Sequence, residues 1–157
     1  MPRHNNLLSG FRLINQLGEV GLRFVDAHGR HALRLDLLVG LEPVLIPWVN
    51  LIGFTRITTH PKLLPNPLTA DQALSLVELW LGAPPVRTPA PGPGHAPRVR
   101  SLLAKAGDAG NLVNDAHLAA LALDNRAQVV TFDTDFALFD GVAWTTPAAL
   151  LAAAAES

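Results

Sequence analysis

The chain has 157 residues, of which 49% are hydrophobic and 16% are charged, a composition typical of one globular domain with a packed core. Its 12 Lys and Arg residues nearly balance its 13 Asp and Glu residues, so no net field draws the whole molecule to nucleic acid or an anionic membrane. It contains no cysteine, which excludes disulfides, thiol nucleophiles and thiolate metal sites.

The apolar stretches of the sequence are too interrupted to cross a membrane. The most apolar one, residues 33–54, contains Asp36, Glu42 and two prolines, whereas a membrane span needs about 20 clean apolar residues. The first nine residues lack the apolar core of a secretory signal. We expect a cytoplasmic protein with a single domain over residues 1–157 and no membrane contact.

The N-terminal quarter of the chain is weakly patterned. Residues 1–21 have helix-compatible apolar spacing that glycines interrupt, so we expect a loosely specified helical arm. A short strand is predicted over residues 22–25, closed by Asp26. A helix is predicted over residues 32–39 and is expected to end at Gly40.

The middle of the chain carries clearer signals. Residues 44–46 are aliphatic and lie between two prolines, which predicts a strand buried on both faces of a parallel sheet. The next helix is predicted over residues 48–59, since the residue before Pro61 avoids the helical region. A T-x-x-Q capping box at Thr69 predicts the start of another helix, which is expected to end at Gly82.

The second half of the chain again alternates between helix and strand patterns. Residues 83–97 contain six prolines, which predicts an extended surface loop outside the core. A short helix is predicted to end near Gly107, a longer one to be capped by Asn111, a strand to cover residues 128–132 and a last helix to cover residues 147–155. This alternation predicts an α/β domain with a mainly parallel sheet.

Four aspartates occupy the positions where a ligand crevice is expected. Asp26 follows one strand-like run, Asp133 and Asp135 follow another, and Asp115 lies in the first turn of a helix. The carboxyl ends of parallel strands form such a crevice, and carboxylates gathered there stay ionised together when a divalent cation offsets their repulsion. The pattern predicts a Mg²⁺ or Mn²⁺ site.

Each acid also has an ordinary structural explanation. Asp115 alone is typical of an acid that favours the positive end of a helix dipole, and Asp133 and Asp135 are typical turn formers after a strand. His117 lies two residues after Asp115 and therefore on a different face of the helix, so we interpret it as a neighbouring or packing residue. The His spacings show no zinc motif.

Two segments together carry a resemblance to a known family. Residues 111–122, NLVNDAHLAALA, and residues 129–139, VVTFDTDFALF, resemble the PIN-domain toxins of the VapC family, and residues 53–61, GFTRITTHP, resemble one branch of it. The resemblance extends from about residue 42 to the C terminus. It implies a PIN-like three-layer α/β/α sandwich, a Mg²⁺-dependent endoribonuclease that hydrolyses RNA phosphodiester bonds, and a cognate VapB antitoxin that neutralises it.

The resemblance also implies roles for the acids. Asp115 matches the acid of the family's D-A-H-L-A-A element and is the expected metal ligand. Asp133 and Asp135 match the acids of its D-x-D-F element, where they support the metal or polarise the attacking water.

Three further residues match the G-F-x-R-I-x-T-H-P element and are candidates for substrate binding. Arg56 is expected to contact the RNA phosphate, with an ordinary salt bridge as the equally weighted alternative. Thr59 and His60 fit the family pattern beside it. We expect a homodimer from the apolar helix faces, and no motif for sequence-specific DNA binding is present.

The N-terminal part departs from the family, whose members open with a strand ending in D-x-N, the Asp being a principal metal ligand. Residues 22–28, LRFVDAH, are similar to that element, with Asp26 as the acid and His28 in place of Asn. A second alignment places residues 28–38 on a later helix, and the first acid is then missing. The alternative to a metal-dependent nuclease is therefore a degenerate PIN domain that only binds the antitoxin.

Overall fold

The computed structural model describes residues 12–14, 43–107 and 110–155 of the chain. The strands are β1 (Arg12–Ile14), β2 (Val44–Leu45), β3 (Val86–Arg87), β4 (Gln128–Val130) and β5 (Trp144–Thr145). The helices are α1 (Trp48–Thr58), α2 (Ala70–Leu81), α3 (His95–Ala106), α4 (Val113–Asn125) and α5 (Pro147–Ala155), with a 3-10 helix at Thr134–Leu138. No helix of these residues is long and apolar enough to span a bilayer.

The strands form one sheet with the order β3-β2-β1-β4-β5, and each described pairing is parallel. β1 lies in the centre, where Leu13 pairs with Leu45 of β2 on one side and with Val129 of β4 on the other. The prediction of a mainly parallel sheet is confirmed. Because parallel strands run in one direction, their carboxyl ends meet at a single edge of the sheet.

Alternate residues of β2 face two different cores, which places helices on both faces of the sheet. Leu45 belongs to a cluster with residues of α3, α4 and the 3-10 helix, including Leu102, Leu121 and Phe136. Val44 and Ile46 belong to a second cluster with residues of α1 and α2, including Phe54, Val77 and Trp80. The expected three-layer α/β/α arrangement is therefore confirmed.

Several element predictions are confirmed in detail. α1 begins directly after Pro47, α5 covers Pro147–Ala155 as expected, and the capping box forms, with Thr69 Oγ1 accepting from the Gln72 N–H and Gln72 Oε1 accepting from the Thr69 N–H. The strand and helix predicted over residues 22–40 lie outside the described residues.

The helical interpretation of residues 1–21 is wrong at Arg12–Ile14, which form β1. The apolar spacing was compatible with a helix, but a three-residue segment takes its structure from its neighbours. Here β2 and β4 provide backbone partners on both sides. Tertiary pairing therefore overrides the local pattern.

The prediction that residues 83–97 stay outside the core is also wrong. Val86 is only 5% exposed and lies in β3, where the Pro85 carbonyl accepts the Val44 N–H at 2.8 Å. Proline is tolerated there because Pro85 directly precedes the first residue of β3, which is an edge strand. α3 also begins at His95, with Pro97 in the first turn, where a missing N–H has no helical partner to lose.

The N-cap of the long helix α4 lies one residue later than predicted. Its N-cap is Leu112, with no side-chain cap, and Asn111 is exposed outside it. Leu112 is 7% exposed and packs in the core with α3. Burial of this leucine, not a capping hydrogen bond, therefore fixes the start of the helix.

Candidate active site

Three of the four predicted acids lie at the carboxyl edge of the sheet. Asp115 is in the first turn of α4, the helix that leads back to the start of β4 and packs against β1 and β4. Asp133 and Asp135 follow the last residue of β4, in the segment that opens the 3-10 helix. The crossover thus brings two distant parts of the sequence to one site.

Backbone hydrogen bonds shape the segment after β4. Thr131 Oγ1 accepts the Asp133 N–H at 3.0 Å, and Asp133 Oδ1 accepts the Asp135 N–H at 2.9 Å. Phe136, fully buried, anchors the 3-10 helix to the core. Asp133 is therefore the turn former that its position suggested, and the turn also holds the acids next to the end of the strand.

Asp133 and Asp135 act electrostatically on Asp115. The pKa of Asp115 is raised, mainly because partial burial disfavours its charged form and further because Asp133 and Asp135 add negative charge nearby. A backbone hydrogen bond acts in the opposite direction with a smaller effect. An isolated acid at a helix start is stabilised by the helix dipole. Asp115 instead bears an electrostatic cost from its burial and its two acidic neighbours, and a bound cation would offset that cost.

The donor set suits a hard divalent cation. The three acids supply only carboxylate oxygens, the ligands that Mg²⁺ and Mn²⁺ prefer. No group of three or more His, Asp or Glu side chains within the described residues is placed to hold a metal by itself. Mg²⁺ commonly uses one or two carboxylates and completes its shell with water, so Asp115 together with Asp133 fits such an ion.

The crowding predicts an unusual effect of Asp115→Asn on stability. Since the folded-state pKa is raised, ionised Asp115 destabilises the metal-free fold above that pKa, and the cost disappears as pH falls toward its ordinary value of 3.8. Thermal unfolding in EDTA at neutral pH should therefore show a higher Tm for the variant, with the difference shrinking under acid conditions.

Asp71 provides the matched control, because it also lies in the first turn of a helix, α2, and is exposed. Asp71→Asn should lower the Tm slightly by removing a favourable dipole interaction. If Asp115→Asn lowers the Tm in the same way, Asp115 is an ordinary helix-start acid and the electrostatic cluster is refuted.

The predicted substrate-binding residues lie at the far end of α1. Arg56 is eight residues beyond the start of the helix, about 12 Å along its axis at 1.5 Å per residue, and is exposed. Thr59 Oγ1 donates to the Thr55 carbonyl, and His60 Nδ1 accepts the Lys62 N–H. The structure records no contact of these three candidates with the acids, and no ion pair of Arg56, among the described residues. Their role in substrate binding stays a prediction.

Comparison with known proteins identifies the family. The PIN domain model matches residues 20–142, and Ribonuclease VapC37 of Mycobacterium tuberculosis is 44% identical over 126 residues, which cover 79% of this chain and 88% of the relative. The chain belongs to the VapC family of PIN-domain proteins. Ribonuclease VapC33 of Mycobacterium tuberculosis is 36% identical over 117 residues, covering 74% of this chain and 82% of that relative.

A solved structure supports the same fold. VapBC2 from Rickettsia felis, crystallised with a DNA fragment from its promoter, aligns with a TM-score of 0.59 at 16% identity, covering 87% of this chain and 98% of the other. The resemblance to the VapC family drawn from residues 111–139 is thereby confirmed at the level of family and fold.

The described residues of the structure do not determine which residue supplies the first acid of the VapC pattern. Asp26 lies outside the described residues, although the family match includes it. The central position between β2 and β4, however, is filled by β1, which ends at Ile14. The next residue in the sequence is Asn15, an amide that lies before the family match at residues 20–142. β1 was not predicted from the sequence, because three residues give too short a periodic signal.

A histidine pair between α3 and α4 was only half predicted. His117, expected to be a neighbouring or packing residue, has its Nδ1 2.8 Å from Nε2 of His95, and the two rings meet edge to face. Nδ1 of His95 lies 3.6 Å from Asp124, which also pairs with Arg98 at 2.7 Å. Burial, and then the neighbouring His95, lower the pKa of His117. His95 was missed because it lies in the proline-rich stretch.

Proposed function

We propose that this chain is the toxin of a VapBC pair, a divalent-metal-dependent endoribonuclease that hydrolyses RNA phosphodiester bonds. The observation that carries the proposal is the group of Asp115, Asp133 and Asp135 at the carboxyl edge of the sheet, with the charges of the last two raising the pKa of the first. The relatives that bear the name ribonuclease support the reaction class.

The proposed roles follow from position and charge. Asp115, in the first turn of α4, and Asp133, held by the Thr131 hydrogen bond, are the ligands of Mg²⁺ or Mn²⁺. The ion, when bound, offsets negative charge on the phosphate and makes water easier to deprotonate. Asp135, exposed beside Asp133, orients the attacking water. Arg56, Thr59 and His60 remain candidates for contacts with more distant parts of the RNA.

The proposed partners are a VapB antitoxin and a second copy of the chain, in the cytoplasm. The Rickettsia felis protein of similar fold is a VapBC complex, which supports the antitoxin. α1 and α2 expose large apolar side chains, Trp48, Ile52, Leu74 and Leu79, which supports a protein-covered surface on that face. Light scattering should give the mass of a dimer for the purified chain.

The test of the proposed function is a cleavage assay with a mixed panel of structured and single-stranded RNA. The purified chain should cut RNA when Mg²⁺ or Mn²⁺ is present, and EDTA should stop the reaction. Isothermal titration with Mn²⁺, followed in the absence of RNA, should show binding. A folded protein that neither binds Mn²⁺ nor cuts any RNA of the panel would refute the nuclease.

A second candidate function is that of a catalytically degenerate PIN domain that only binds the antitoxin. One observation favours it, namely that the sequence continues from the central strand β1 with Asn15 instead of an aspartate. An amide oxygen contributes no negative charge to a metal site, and metal affinity depends on the charge count of the ligands. Absence of both Mn²⁺ binding and cleavage in a folded, antitoxin-binding chain would favour this candidate.

A further inference from the structure

A groove opens between α3 and α4, and its lining includes the start of α4. Its volume is about 920 Å³, near the upper end of the ~300–1,000 Å³ range typical of ligand pockets. It is lined by apolar and small residues, Ala96, Val99, Leu103, Ala104, Gly107 and Val113, and by three polar ones, Arg100, Asn114 and His117. Asn114 and Val113 lie in the first turn of α4, the turn that also carries Asp115 on a different face of the helix.

The polar residues of the groove offer both hydrogen-bond donors and acceptors, and His117 is held in position by a neighbouring side chain. His117 Nδ1 lies 2.8 Å from Nε2 of His95, and this contact orients the ring. Nδ1 of His95 lies 3.6 Å from Asp124 and has no hydrogen-bond partner among the described residues. Its Nε2 has no hydrogen-bond partner within the described residues. Asn114 adds an exposed amide, which both donates and accepts, and Arg100 adds an exposed cation.

We propose that this groove binds a nucleobase of the RNA substrate, in a nucleotide that flanks the one whose phosphate is cut. A base has two apolar faces and an edge of donors and acceptors. Val99, Leu103 and Val113 provide apolar walls for the faces, Asn114 and His117 provide partners for the edge, and single-stranded RNA is read by such pairing of unstacked bases. The proposal rests on the proposed nuclease function and adds the site that selects the nucleotide sequence of the RNA.

The charge and the surroundings of the groove favour RNA over a protein occupant. Arg100 is the one charged residue among the described residues that line it, and it has the sign that attracts phosphate. Large exposed apolar side chains, which protein partners need, are concentrated on α1 and α2 across the sheet, whereas Val113 is the one large exposed apolar residue in the described lining of the groove. The helix start at Asp115 adds a positive dipole end for the backbone.

Binding should be measured on the Asp115→Asn protein, so that RNA stays uncut, with short fluorescent single-stranded RNAs that differ at one nucleotide. Ala104→Leu narrows the groove, and Ala148→Leu, at an exposed position of α5, is the matched control. We expect Ala104→Leu to weaken RNA binding about tenfold and Asn114→Ala to reduce base discrimination about tenfold. In the protein that retains Asp115 and cleaves RNA, Ala104→Leu and Asn114→Ala should each raise the KM for RNA with little change in kcat.

The outcomes separate this inference from the proposed nuclease. Metal-dependent cleavage with unchanged KM and unchanged base preference in both groove variants overturns the base site and leaves the nuclease intact. Base-selective RNA binding that Ala104→Leu weakens, in a protein that cuts no RNA, supports the site and refutes the nuclease. A change from dimer to monomer mass in Ala104→Leu, with RNA binding unaffected, overturns the proposal by showing that the groove is a subunit interface.

Discussion

Replacing Asp115 by Asn should reduce metal-dependent RNA cleavage by at least about 100-fold, since even changes outside the direct ligands of a metal cost 10- to 100-fold in affinity or activity. The substitution keeps the shape of the side chain and removes its charge. Asp115 is the acid on which both other carboxylates act, so its loss removes a ligand and lowers the attraction for a cation. Titration with Mn²⁺ should show correspondingly weaker binding.

The other two acids provide graded comparisons for this prediction. Asp133→Asn should also weaken Mn²⁺ binding, whereas Asp135→Asn should lower kcat with a smaller effect on Mn²⁺ affinity, because the proposed role of Asp135 is to orient water. Asp71→Asn, with its acid in the first turn of a different helix, should leave cleavage unchanged. Cleavage by Asp115→Asn at the wild-type rate would show that this group of acids takes no part in the mechanism.

The predictions that succeeded are those in which a few neighbouring residues carry the whole signal. Thr69 and Gln72 form the capping box by themselves, and the aliphatic run that contains Val44 and Leu45 leaves no alternative to a buried strand between two prolines. The proximity of Asp115 and Asp133 was predicted in the same way, because their positions relative to the predicted helix and strand place both at the carboxyl edge. Their role as metal ligands stays a prediction.

The features that were missed depend on contacts between distant segments. β1 is three residues long and acquires its structure from β2 and β4, so no local periodicity announces it. β3 forms because the Pro85 carbonyl meets the Val44 N–H, a partner forty-one residues earlier in the chain. The pairing of His95 with His117 likewise requires α3 to pack against α4. Such long-range pairings determine the structure of segments that local propensity does not specify.

The second prediction concerns the first acid of the site. Asn15→Asp should raise the affinity for Mn²⁺ about tenfold or more and increase cleavage with it, because affinity for hard cations rises with the charge count of the ligands. Asn15 comes directly after β1 in the sequence, and the VapC pattern has an aspartate after its first strand. Asp26→Asn tests the other alignment, in which Asp26, inside the family match at residues 20–142, is the first acid.

Gln16→Glu adds the same charge one residue later and is the control for charge alone. If Asn15→Asp raises Mn²⁺ affinity and Gln16→Glu does not, the wild-type chain has a weakened metal site in which an amide replaces the first carboxylate. If Asp26→Asn abolishes Mn²⁺ binding while Asn15→Asp has no effect, the strand predicted over residues 22–25 carries the ligand. The four-acid site would then be complete, because Asp26 would stand beside Asp115, Asp133 and Asp135 despite the position of β1.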